Sequence, residues 1–350
     1  QQFLCLCFGQ LTFRESARSI VLCLNAHPKK LYHLGFTNTI KLSTLCDANE
    51  RRSWKIYEAF GHTLIRKARR LYQDDESFLD DLKGTFYALD STTIDLCLSV
   101  FPWAHFRETK AAVRAHTLLD LRGNIPTFLH ITDGSVHDVN VLDILPIEPG
   151  ACYIVDRGYF DFARLYAIHT KQASFIIRAK INTQWKRLYS HPVDRSGGLR
   201  CDQTIRFTGT KAHLYPENLR RVKYYDEETG NTYIFLTNNF TFTTQQVADL
   251  YKERWKIELF FKWIKGHLRI KVFWGESENT VRTQIWIAVC TYLMVAIMKK
   301  QCRIDRSLYE ILQILSTTAF EKIGLVELFA RTDLQISDPD PDLFAMRLEC

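Results

Sequence analysis

Cys152-Tyr-Ile-Val-Asp156-Arg-Gly-Tyr159 is a run of four buried-type residues that closes on a carboxylate and a glycine turn. A short apolar run bounded by turn signals reads as a fully buried strand. A carboxylate at the end of such a strand is delivered to an open crevice at the sheet edge. Working outward, Phe162 to Lys171 predicts a helix and Ser174 to Lys180 a further strand. Upstream, residues 137–145 predict a helix, and Ala112 to Leu121 and Ile125-Pro-Thr-Phe-Leu-His-Ile-Thr132 form a hairpin through Arg122-Gly-Asn124. Before them, Thr85-Phe-Tyr-Ala-Leu-Asp90 is another short strand that ends in a carboxylate.

Three strands in an antiparallel meander, then strand, helix and strand, is the order of a ribonuclease-H-like α/β mixed sheet. A β-rich, irregular insertion (181–238) follows, and a long helix from Thr243 to Leu268 returns to the core. The N-terminal part reads as a small helical domain: Thr12-Phe-Arg-Glu15 as a capping box before Ser16 to Leu24, then Ser43 to Glu50 and Ser53 to Tyr72. His27-Pro28 and Gly35 supply the breaks. Basic clusters at Arg51 and Arg52, and at Arg66, Lys67, Arg69 and Arg70, fit a helix-turn-helix-like DNA-binding module. The expected division is 1–73 helical DNA-binding domain, 74–84 acidic linker, 85–180 catalytic core, 181–238 insertion, 239–300 core again, and 301–350 helical region with an acidic tail around Asp338-Pro-Asp-Pro-Asp342.

The 350 residues are 46% hydrophobic with a net charge of +7, which excludes a disordered chain and allows a polyanionic partner. The charge is uneven: residues 1–72 hold 12 Arg and Lys against four acids, and residues 181–223 hold nine against three. Two separate basic stretches suit two surfaces laid along a phosphate backbone. None of the ten cysteines forms a C-x-x-C pair, so buried thiols in a reducing cytoplasm are expected. The apolar run Ile285 to Met298 is shorter than the roughly 20 residues that cross a bilayer, so it reads as a core helix and no membrane partner is expected. The chain starts at Gln1 without an initiator Met, and a longer N-terminus is expected.

Asp90 and Asp156 gain meaning from the long helix. In Tyr251-Lys-Glu-Arg254-Trp-Lys-Ile-Glu258-Leu-Phe-Phe-Lys-Trp-Ile-Lys265, the positions Tyr251, Arg254, Glu258 and Lys265 fall within roughly 60° of one another at about 100° per residue. One stripe therefore carries an aromatic hydroxyl, two cations and a carboxylate, where an ordinary charged stripe would need only the Arg254–Glu258 pair. Two carboxylates about 4 Å apart repel by about 4 kcal/mol at an effective dielectric of 20. A divalent cation relieves this, and all-oxygen ligation suits Mg²⁺ or Mn²⁺, two of which can clamp an in-line phosphoryl displacement. On this reading Arg254 and Lys265 bind DNA phosphates and Tyr251 positions another. Arg157, Lys110, His116 and His137 receive no catalytic role. A glycosidase would fit two carboxylates but not the cation-rich stripe around Glu258.

The Y-x2-R-x3-E-x6-K pattern, with Leu-Asp90-Ser-Thr-Thr and Val-Asp156-Arg-Gly-Tyr159, resembles bacterial insertion-sequence DDE transposases of the IS-four family over roughly residues 85–300. The resemblance implies that Asp90, Asp156 and Glu258 are catalytic and hold two Mg²⁺ ions. It also implies cut-and-paste chemistry on double-stranded DNA, at terminal inverted repeats and target DNA, by nicking, hairpin formation and strand transfer. A homodimer in a synaptic complex and a nucleoid-associated location are implied as well. Within the insertion, Trp185 beside Lys186 and Arg187 is the candidate to stack on a base flipped from the hairpin. A nuclease without strand transfer, or an inactive DNA-binding transposon remnant, are the alternatives.

Overall fold

The computed structural model of the chain describes residues 1–74, 79, 82, 84–107, 110–195 and 197–330. Most of the acidic linker and all of the acidic tail lie outside the described residues. Four helices open the chain: Gln2–Leu11 (α1), Ala17–Asn25 (α2), Leu42–Arg51 (α3) and Lys55–Tyr72 (α4). The capping box expected at Thr12 is displaced. Thr12 instead closes α1, its hydroxyl donating to the Phe8 carbonyl. Ser16 caps α2 in a reciprocal box with Ser19, since a serine at the third helical position completes the exchange that a glutamate usually makes.

The strands are Phe86–Leu96 (β1), His105–Arg107 (β2), Lys110–Asp120 (β3), Ile125–Asp133 (β4) and Cys152–Val155 (β5). Helix Phe162–Thr170 (α5) leads to Ser174–Arg178 (β6). The expected hairpin between β3 and β4 forms, with Gly123 at φ +75° and Asn124 at φ +54°. Gly123 is required twice over, because a Cβ there would also lie 2.5 Å from the Tyr72 ring. β1 runs antiparallel to β3 and parallel to β5, β5 runs parallel to β6, and β4 pairs with the far edge of β3. That order, β4-β3-β1-β5-β6, is the ribonuclease-H-like mixed sheet.

Two local expectations change. Residues 137–145 form a 3₁₀ turn at Asp138–Asp143 in place of a helix. The insertion is regular: Trp185–His191 (β7), Leu199–Phe207 (β8), Leu219–Asp226 (β9) and Asn231–Thr237 (β10) extend the same sheet, β10 pairing directly with β6. Among the described residues this makes one ten-stranded sheet.

The long returning helix is two: Thr244–Glu253 (α6) and Trp255–His267 (α7), followed by Glu278–Gln301 (α8), Leu308–Thr318 (α9) and Leu325–Ala330 (α10). Alternate strand residues divide between two cores, as the period of two requires. Phe86, Ala88, Cys152, Ile154 and Ile176 face one core with α1–α4 and α6–α9; Tyr87, Leu89, Tyr153, Val155 and Ile177 face the other with α5. α8 is longer than the apolar run suggested, and it is long and apolar enough to cross a membrane. Its most apolar window is 83% buried inside the fold, however, which makes it the central core helix. Gly61 of α4 lets that helix close on Trp286 of α8, since a Cβ at Gly61 would lie 2.7 Å from the indole. The N-terminal helices thus share a continuous core with the sheet. All described cysteines are free thiols.

Candidate active site

β1 is longer than expected, so Asp90 lies within it and not at its end. The parallel ladder with β5 nevertheless stops at Leu89–Val155, which leaves Asp90 and Asp156 at the open end of adjacent parallel strands. Side-chain alternation turns Asp90 toward the face covered by α7.

Between α6 and α7 the helical ladder tightens. The Arg254 amide donates to the Tyr251 carbonyl and the Ile257 amide to the Arg254 carbonyl, both at 3.2 Å and three residues apart. The single helix inferred from periodicity is therefore interrupted at the residue that carries the guanidinium. Such i→i+3 bonding brings side chains at this spacing nearly into line, and the stripe survives the break.

Arg254 is the hub. One Nη donates to Asp90 Oδ2 at 3.0 Å and the other to Glu258 Oε1 at 2.5 Å. Its guanidinium lies 5.9 Å from the centre of the Tyr251 ring. The Tyr251 hydroxyl donates to Asp156 Oδ1 at 3.4 Å, and Phe235 of β10 packs against its ring. The Ser91 amide donates to Asp90 Oδ1 at 2.8 Å. Burial pushes the Asp90 carboxyl up to about 6, the Ser91 amide and Arg254 pull it back, and the charges of Glu258 and Asp156 push it up again. The three carboxylates thus sense one another. Burial, aided by the Asp156 charge, raises the Tyr251 hydroxyl too, so it remains a donor.

Lys265 lies further along β1, where its Nζ donates to the Thr93 carbonyl at 2.6 Å. Burial first, and then the neighbouring charge of Lys271, lower its pKa. The remaining sequence candidates make no hydrogen bond or ion pair to this network among the described residues. Trp185 begins β7, the outermost strand, with the Arg221 guanidinium 5.1 Å over its ring. Arg51 is exposed at the end of α3 and pairs with Asp47, and exposed Arg52 follows it, its carbonyl accepting from Asn279 of α8.

Behind Asp90 lies a polar cluster that the sequence reading did not assemble: Ser91, Arg114, His116 and Asp138. Its only sequence signal is the serine beside Asp90. The partners lie on β3 and on the 3₁₀ turn at Asp138–Asp143, where the sequence spacing predicts a helix.

Residues 81–294 match the family model described as Transposase DDE domain. The chain belongs to the DDE transposase family. It is 30% identical over 283 residues to y4zB of Sinorhizobium fredii, which bears a transposase name, covering 79% of this chain and 77% of that protein. It is 28% identical over 225 residues to a Geobacillus stearothermophilus protein named as a transposase for insertion sequence element IS5377, covering 63% of this chain and 59% of the relative. The cryo-EM structure of the piggyBac transposase synaptic complex with hairpin DNA superposes with a TM-score of 0.43 at 11% identity, over 95% of this chain and 82% of that one. Residues 1–37 of the transposase match a domain of unknown function, DUF4372. The transposase is thus a metal-dependent DNA phosphoryl-transfer enzyme by family.

Proposed function

We propose that the transposase moves an insertion sequence by cut and paste, nicking one strand at each element end, forming a hairpin with the freed 3′-OH, and joining both ends to target DNA. The observation that carries this reading is the bridge from Arg254 to both Asp90 and Glu258, with Tyr251 on Asp156. Arg254 joins Asp90 of β1 to Glu258 of α7, and Tyr251, at the end of α6, holds Asp156, which follows β5.

Asp90, Asp156 and Glu258 are the residues that would hold Mg²⁺ or Mn²⁺. No three His, Cys, Asp or Glu side chains among the described residues form a ready ion cage, and the guanidinium stands between two of the carboxylates. The fit lies in the donor set, which is all carboxylate oxygen and whose mutual repulsion a cation relieves. When bound, two such ions supply Lewis acidity and an activated oxygen nucleophile.

The chain's own residues do the rest. Arg254 presents a planar fork that matches carboxylate and phosphate alike. Tyr251 orients Asp156 while the Phe235 ring holds it in place. Lys265 contacts a backbone phosphate, Trp185 stacks on a displaced base, and Arg51 and Arg52 contact flanking duplex. Two protomers act on paired ends.

The test uses labelled element-end DNA with Mg²⁺ and a target plasmid. Wild type is expected to nick, form a hairpin and join, and Asp156→Ala to do none of these. Equal cleavage by the two overturns the carboxylate reading, and cleavage without joining leaves a nuclease.

A further inference from the structure

Ser91 follows Asp90 on β1, and strand alternation turns its side chain to the opposite face of the sheet. There Ser91 Oγ donates to Asp138 Oδ1 at 2.6 Å. The same oxygen accepts from Arg114 Nη1 at 3.1 Å and lies 3.6 Å from His116 Nδ1. Arg114 also donates to the Val136 carbonyl at 2.9 Å, which fixes the turn carrying Asp138. His116 sits opposite Ser91 in the β1–β3 ladder, fully buried, with Nε2 3.1 Å from Thr132 Oγ1. Burial holds its ring neutral, pushing its pKa down to about 4.

One carboxylate oxygen thus gathers groups from β1 and β3, and one of them belongs to the residue whose amide holds Asp90 Oδ1 at 2.8 Å. We propose that Asp138 is a positioning residue for the transfer reaction, acting through Ser91 to fix the Asp90 carboxylate from behind the sheet. The inference rests on Asp90 being a catalytic carboxylate. Asp138 anchors the Ser91 side chain, so its loss frees β1 to shift at the position where the parallel ladder with β5 has just ended. A carboxylate misplaced by a fraction of an ångström binds a cation less well. Partners that orient a metal-binding group in this way typically change affinity or activity by roughly 10- to 100-fold when removed.

The experiment compares Ser91→Ala, Asp138→Ala, Asp138→Asn and the Ser91→Ala/Asp138→Ala double variant with wild type. It measures cleavage rate at saturating DNA, DNA affinity, and Mn²⁺ affinity by calorimetry without DNA. Each alanine variant is expected to slow cleavage and weaken Mn²⁺ binding by about tenfold, with DNA affinity unchanged. The double variant should be no worse than the poorer single one, because both remove the same link. Asp138→Asn should recover much of the loss, since its carbonyl oxygen can accept the same two bonds. Multiplying defects in the double variant, or wild-type Mn²⁺ affinity in Ser91→Ala, would falsify the proposal. Ser91→Ala keeps the arrangement testable if Asp138→Ala does not fold. Failure of the carboxylate reading itself would appear separately, as an active Asp156→Ala protein.

Discussion

The guanidinium of Arg254 lies 3.0 Å from the carboxylate of Asp90, a residue 164 positions earlier in the chain. With Tyr251 on Asp156 and Lys265 on the Thr93 carbonyl, this contact ties the helical half of the site to the sheet half. Charge-assisted bonds of this kind contribute about 1.5–3 kcal/mol, and removing this one leaves Asp90 and Glu258 unneutralised. Arg254→Ala is expected to slow single-turnover cleavage by roughly 10- to 100-fold, the rate equivalent of that energy. Arg254→Lys should recover only part, because one ammonium cannot span both carboxylates as a fork does. Full rescue by lysine would show that charge alone suffices.

Asp90 carries a stability signature with a definite sign. Its folded carboxyl titrates near 6, against about 3.9 in an unfolded chain. Between those values the folded state holds the extra proton, so this group makes stability fall as pH rises from about 4 to above 6. Asp90→Asn fixes the neutral form. In EDTA at pH 8 it should be more stable than wild type by up to about 3 kcal/mol, with the gap closing toward pH 4, while cleavage is lost. Denaturation curves at the two pH values check it, and a variant that melts below wild type at pH 8 would refute it.

The fit of α4 onto α8 should be as costly to break as any core contact. Trp286→Ala is expected to cost about 3–5 kcal/mol by leaving a cavity. Gly61→Ala should cost about 1–3 kcal/mol by forcing the indole aside. Because the N-terminal helices and the sheet share this core, circular dichroism and tryptophan fluorescence should report one common transition. Two separated transitions would mean that the N-terminal helices fold as a unit of their own.

Arg220 of β9 forms a buried pair with Asp202 of β8 and donates to the Phe242 carbonyl and Thr244 Oγ1, at the start of α6. Burial raises the Asp202 carboxyl, but Arg220 and Thr244 outweigh it and hold it below its usual range. The pair's stabilisation is therefore present above the unfolded carboxylate range and is lost as pH falls through the lower folded value. Asp202→Ala should cost about 3–5 kcal/mol by stranding the arginine. It should also slow cleavage, since α6 carries Tyr251. Unchanged melting would show that Arg220 finds other partners.

Much of this site was legible in the sequence because strand ends and helix stripes follow simple periods. Asp156 ends a four-residue apolar run, and Arg254 and Glu258 are four residues apart, so local geometry alone places them. Three features were less legible for physical reasons. The tightening at Arg254 leaves the hydrophobic pattern unchanged, so periodicity reads straight through it. β1 continues past Asp90 because β3 still pairs with it, and that pairing is long-range. Asp138 sits on a turn whose Asp-Val-Asn-Val-Leu-Asp run has helical spacing but closes as 3₁₀, and its partners come from strands. Of the basic residues, Arg69 is occupied internally by Asp120, Glu148 and Tyr87, whereas charge counting treats every arginine as surface.

The burial of α8 among the first helices also sets an order of events during synthesis. α1 and α4 emerge from the ribosome well before α8, yet the apolar faces they present are covered by residues 278–301. The nascent chain must carry those faces uncovered through the whole sheet and its extension before their partner is made. The carboxylates of β1 and β5 likewise await α7, which emerges only just before α8. A product that ends before residue 255 therefore lacks both the helix that carries Glu258 and the cover for its amino-terminal helices.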